Sequence, residues 1–92
     1  MSDDAWRALI TAFAEGDLDG PTFERRFLDL RRGEIDRGVS QRFAVDLLFY
    51  EVDAYCADPA LRGAEDIDEA ELRRQAVLCL ARWEAPWPPK VP

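Results

Sequence analysis

Nine carboxylates lie between Asp46 and Glu71 (Asp46, Glu51, Asp53, Asp58, Glu65, Asp66, Asp68, Glu69 and Glu71), and the only cation among them is Arg62. The segment has a formal charge of −8, while the rest of the 92-residue chain holds ten acids and eleven bases. The net charge of −7 therefore sits in one stretch. Carboxylates this dense can do three kinds of chemistry: move a proton on a substrate, hold a cation, or attract a basic surface.

The first two are poorly served. Acid–base hydrolysis by a carboxylate pair needs one member in a pocket that raises its pKa, and nothing marks such a pocket. Histidine is absent, which removes the commonest general base, the commonest metal ligand and every Ser-His or Cys-His arrangement. The single lysine, Lys90, leaves no Schiff-base or P-loop role. The Glu-x-x-His pairs of helical di-metal sites are missing, as is the glycine-centred ligand loop of an EF-hand. The residues thus imply a protein that is not an enzyme and carries no metal or cofactor. Its field would draw a basic protein and repel nucleic acid.

A local account covers half of the cluster. Asp66, Asp68, Glu69 and Glu71 fall at or near a helix start, where negative charge complements the helix dipole, and Asp58 is an ordinary turn residue. The lack of compensating cations has no such account.

The elements that position these groups read as four helices. The first spans about Asp3 to Glu15, with Trp6, Leu9, Ile10 and Phe13 on one face and Gly16 as its left-handed stop. Asp19-Gly20-Pro21 opens the second, which buries Phe23, Phe27 and Leu30 and ends near Gly33. Ser40 is the expected N-cap of the third. Its run from Phe43 to Cys56 is apolar on most sides, which predicts the central helix, ended by Asp58-Pro59. Asp46, Tyr50 and Asp53 form its one polar stripe. Asp68 with Glu71 makes a capping-box pattern for the fourth, flanked by Ile67 and Leu72 as a hydrophobic staple. That helix buries Leu72, Ala76, Cys79, Leu80 and Trp83. Short connections imply antiparallel neighbours in an all-α, compact four-helix bundle over residues 1–85. A proline-rich tail, 86–92, follows, with Trp87 as its packing anchor.

Arg25, Arg26, Arg31, Arg32, Arg37 and Arg42 alternate with Glu24, Asp29, Glu34 and Asp36, as on a solvated, ion-paired helix face. Direct nucleic-acid contact is disfavoured at a sequence pI near 4.5. Cys56 and Cys79 lie in apolar stretches and are expected to stay reduced. Met1-Ser2-Asp3-Asp4 lacks a signal-peptide pattern, and no apolar run could span a bilayer, so a cytoplasmic protein without membrane contact is expected.

Residues 47–62, running from Leu47-Leu48-Phe49 through Asp53-Ala54-Tyr55-Cys56 and Asp58-Pro59 to Leu61-Arg62, lead into Asp66-Ile67-Asp68-Glu69-Ala70-Glu71-Leu72-Arg73. This order resembles the colicin-D-type immunity proteins over about 27 residues. The resemblance implies a small helical bundle that inhibits a cognate nuclease toxin, typically one that cleaves tRNA in the anticodon loop. Such proteins place acidic side chains in the basic catalytic cleft where RNA phosphates would lie. Asp53, Asp58, Glu65, Asp66, Asp68 and Glu69 match the acidic pattern. With Asp46, Tyr50 and Tyr55, they are the expected toxin-binding residues. The expected partner is the basic catalytic domain of a nuclease toxin, bound by a monomer as a 1:1 heterodimer. The alternatives are an acidic helical adaptor or anti-regulator for another basic domain, and a small carboxylate-based hydrolase.

Overall fold

The computed structural model describes residues 2–84, so the proline-rich tail and Trp87 lie outside the described residues. Its four helices are α1 (Ser2–Ala14), α2 (Gly20–Asp36), α3 (Phe43–Ala54) and α4 (Glu69–Ala81). Each start and stop has a local cause. Gly16 leaves α1 at φ +90°, a conformation that L side chains rarely adopt. Asp19 caps α2 by accepting the Thr22 N–H at 2.9 Å, and Asp68 caps α4 by accepting that of Glu71, also at 2.9 Å. The Glu71 carboxylate does not reach back to complete a capping box. It pairs with Arg74 and accepts from Gln75 instead.

Three boundaries differ from the sequence reading. α2 runs through Gly33 to Asp36, and the left-handed glycine that follows it is Gly38, at φ +70°. α3 begins at Phe43 with Arg42 in the cap position, because tertiary contacts hold the preceding residues extended. Gln41 reaches Glu34, and Arg42 donates to the Trp83 carbonyl at 2.7 Å while pairing with Asp3. α3 ends at Ala54, four residues before Asp58, because Tyr55 enters a parallel bridge with Ile67.

The core joins Trp6, Ile10 and Phe13 of α1 to Phe23 and Phe27 of α2, Ala44, Val45, Leu48 and Val52 of α3, and Leu72, Ala76 and Cys79 of α4, with Trp83 just beyond. Phe13 stacks on Phe23 at 4.1 Å and Trp6 meets Phe27 edge-on at 4.7 Å, so the α1–α2 seam is aromatic. α1 and α4, the two helices farthest apart in sequence, pack together. α2 lies against α1 and α3 against α4. Of the four, α4 holds the centre, not α3. Only Tyr50 and Asp53 of α3 are fully exposed, yet it flanks the bundle. α2 and α3 meet marginally, with the Arg31 guanidinium over the Phe49 ring at 3.8 Å.

The arginine-rich stretch is solvated as expected at Arg25, Arg26, Arg32, Arg37, Asp29 and Asp36, and departs from that role at Glu34. Glu34 is wholly buried, with Oε1 accepting from Trp6 Nε1 at 2.7 Å and from Gln41 Nε2 at 3.3 Å, and Oε2 without a partner. Of the pairs expected on this face, Asp29 with Arg32 is formed, at 4.0 Å and well exposed, the kind of contact that adds little. Two arginines tie the helices together from opposite ends. Arg42 links the start of α3 to Asp3, Glu84 and the Trp83 ring. Arg73 of α4 donates to the Phe13 and Leu18 carbonyls and lies 4.3 Å over Phe13. Both cysteines are free. Cys79 is buried and its thiol is pushed up to about 11 by burial, whereas Cys56 lies just past α3 and is half-buried.

Candidate functional site

The end of α3 and the start of α4 are held at one pole by two backbone hydrogen bonds. The Cys56 N–H donates to the Ile67 carbonyl at 3.0 Å and the Ile67 N–H to the Ala54 carbonyl at 2.9 Å. This pairing turns Tyr55 and Ile67 towards the core. Side chains alternate along an extended segment, so Asp66 and Asp68 point outward, and both are exposed. Asp53, also exposed, directly precedes Ala54 and is brought to the same pole.

The loop between these anchors is tied down by its own polar groups. Asp58 accepts the Ala60 N–H on Oδ1 at 2.9 Å and the Leu61 N–H on its carbonyl at 3.0 Å. The Gly63 N–H donates to Asp66 Oδ2 at 2.9 Å. Arg62 directs Nε and Nη2 onto the Cys56 carbonyl at 3.1 and 2.9 Å. The one cation of the acidic segment thus serves the backbone, and no ion pair among the described residues includes it. Asp58, Asp66 and Asp68 each give one oxygen to a local N–H, while Asp53 and Glu65 make no hydrogen bond or ion pair among the described residues. The pole therefore presents Asp53, Asp58, Glu65, Asp66 and Asp68 uncompensated.

Two residues expected on this face are engaged by the fold behind it. Tyr55 is 8% exposed, and its hydroxyl lies so close to Gly20 that a Cβ there would be only 2.3 Å from it. Burial first, then Glu69, Glu24 and Asp19, push the phenol upward. Glu69 accepts the Gly20 N–H on Oε1 at 2.8 Å and pairs through Oε2 with Arg73 at 2.6 Å. It satisfies an orphan donor at the start of α2, whereas its neighbour Asp68 caps its own helix. Tyr55 is thus buried behind the face, while the Glu69 side chain, 40% exposed, is shared between the fold and the surface.

The α3 stripe is only partly available. Tyr50 is 66% exposed, as its spacing implied. Asp46 is half-buried in the first turn, about 10 Å along the helix from Asp53 at the usual rise. Burial pushes its carboxyl upward against the opposing pull of Arg31. One surface residue was missed: Leu61, 74% exposed, on the loop between Asp58 and Glu65. The available signal was a large aliphatic side chain in a short turn bounded by two acids.

Residues 1–83 match the family model for bacterial self-protective colicin-like immunity. The chain belongs to that family. It is a toxin-inhibiting immunity protein, and membership implies binding to a cognate toxin instead of turnover of a substrate. The match extends well beyond the 27 residues that carry the sequence resemblance and takes in all four helices of this immunity protein. No curated protein and no solved structure gives a match. Among the described residues, no helix is long and apolar enough to cross a membrane, and no group of three or more His, Cys, Asp or Glu is placed to hold a metal ion.

Proposed function

We propose that this immunity protein inhibits a ribonuclease toxin of the colicin D type, one that cleaves tRNA, by lodging its α3–α4 pole in the toxin's basic catalytic cleft. The observation that carries the reading is the exposed group of Asp53, Asp58, Glu65, Asp66 and Asp68, with Arg62 turned onto the backbone. A nuclease must gather lysine and arginine to hold phosphates, and carboxylates spaced along a protein surface can occupy the same positions. Tyr50 and, farther along α3, Asp46 border this face and extend it. Tyr55, Glu69 and the bridge to Ile67 act behind it by fixing its shape.

In this reading the protein works in the cytoplasm as a monomer that forms a 1:1 complex and needs no cofactor. Long-range attraction raises the rate of encounter, which protects a producing cell before free toxin finds RNA. The test is the double reversal Asp53→Lys with Asp66→Lys, assayed for inhibition of tRNA cleavage by the cognate toxin. It should abolish inhibition while helicity is unchanged, and reversal of Asp3 and Glu15 should not. If the Asp53/Asp66 variant inhibits like the parent, the cleft-binding face lies elsewhere. An intact complex with a toxin that does not cleave RNA would retain the immunity role and refute the tRNase target.

A further inference from the structure

Leu61 has no role in the fold. Among the described residues it is the most exposed of the five exposed large apolar side chains, ahead of Tyr50, Ile35, Val77 and Leu78, and the other four lie on helices. A single exposed leucine is unremarkable by itself. What sets this one apart from the four helical ones is its place between the exposed acids Asp58 and Glu65, on a loop fastened on both sides of it. Its own N–H is held by the Asp58 carbonyl at 3.0 Å, and the next residue, Arg62, makes two hydrogen bonds to the Cys56 carbonyl. The backbone that carries Leu61 is therefore ordered before any partner arrives, and the side chain loses little freedom on docking. Because it stands between Asp58 and Glu65, it meets whatever basic surface those acids attract.

Charge and apolar area do different work in an association. Charges at a rim govern mainly the encounter rate, and a desolvated apolar anchor governs mainly the lifetime. Carboxylates alone would give fast capture of any cationic surface with little discrimination. An aliphatic knob at a fixed position among them adds a requirement of shape that most basic proteins fail. We infer that Leu61 is the apolar anchor of the toxin complex, entering an apolar socket beside the toxin's basic cleft and setting how long the complex lasts. The inference rests on the proposed cleft-binding reading and names a feature of the partner: an uncharged recess next to its cationic floor.

The experiment measures association and dissociation rates of the full chain with an inactivated catalytic domain of its cognate toxin. Leu61→Ala should speed dissociation about tenfold to a hundredfold, the range for removing a buried leucine, and leave association within about twofold of the parent. Leu61→Met, which keeps the apolar volume, should restore most of the lifetime. The Asp53→Lys, Asp66→Lys variant should instead slow association. Thermal midpoints of the Leu61 variants should equal the parent's, because the side chain is in water when the protein is free. Dissociation of Leu61→Ala at the parent rate, with the acid reversal still impairing association, overturns the anchor and leaves the cleft-binding reading in place. If the parent chain does not bind that domain, both fall.

Discussion

Glu34 is sealed between Trp6 and Gln41 with no exposed surface, whereas Asp53 and Glu65 at the α3–α4 pole stand in water and touch neither a cation nor a backbone N–H. The same functional group does opposite work in the two regions. A buried carboxylate is tolerated only where fixed donors face it, so Glu34 holds α1, α2 and the segment before α3 in one arrangement. Asp53 and Glu65 make no stabilising contact among the described residues, and by repulsion from the neighbouring acids they weaken the free protein slightly. Glu69 is the intermediate case. It sits among the exposed acids in sequence but behaves like Glu34, closing the N-terminus of α2. The lesson is that a count of charges does not sort these acids and that their donors do: Glu34 and Glu69 accept from another helix, Asp58, Asp66 and Asp68 from their own loop or cap, and Asp53 and Glu65 from none among the described residues.

The sharpest test of this comparison is removal of the inner group. Glu34→Ala leaves the Trp6 indole and the Gln41 amide without their acceptor and opens a void. A loss of about 3 kcal/mol is expected in denaturant unfolding. Glu34→Gln, which keeps an acceptor for Trp6, should lose much less. Toxin binding by either variant, under conditions where it is folded, should match the parent. An Ala variant as stable as the parent would dissolve the contrast with the outer acids.

Next in size is the seam behind the face. Gly20→Ala places a methyl against the Tyr55 hydroxyl and Glu69 Oε1, and relief requires that one of them move. Unfolding measurements should show a loss of about 1–3 kcal/mol, accompanied by weaker toxin binding as the α3–α4 pole shifts. Weaker stability with unaltered binding would mean that the face does not depend on its support.

The cysteines give a smaller readout of the same inside–outside division. Both thiols should titrate in the unfolded, non-reduced protein. In the native state Cys56 should react with a thiol reagent at pH 8 well before Cys79, whose thiol is buried and raised to about 11. Equal reactivity would show that α4 opens readily.

The smallest effect is expected at Asp46, where burial raises the folded-state pKa above that of the unfolded chain. The protonated form is then the one favoured by folding, so Asp46 contributes most at a pH below its unfolded value, and that contribution is lost as the pH rises through the folded value. Asp46→Asn should thus be slightly more stable than the parent at neutral pH, with the difference vanishing in acid. A growing advantage on acidification would reverse the sign and contradict the burial.

Local pattern determined the number of helices, most of the core residues, the opening of α2 at Asp19-Gly20-Pro21 and the cap at Asp68. Those rest on interactions within a few residues: the spacing of apolar side chains, a carboxylate three positions ahead of an N–H, a glycine able to adopt positive φ. It also located the acidic segment and the exposed Tyr50 stripe of α3. Tertiary structure alone decided that α4 takes the centre, because α1 and α4 meet across nearly the whole chain. It likewise decided that α3 stops at Ala54 for a bridge to Ile67, that Arg62 turns inward, and that Glu34, Glu69 and Tyr55 belong to the framework. Each of these depends on a partner at least six residues distant, whose position no local pattern encodes. The candidate face was therefore legible as a concentration of charge, whereas which of its acids reach another helix and which stay with their own loop came from the donors that folding brought to each side chain.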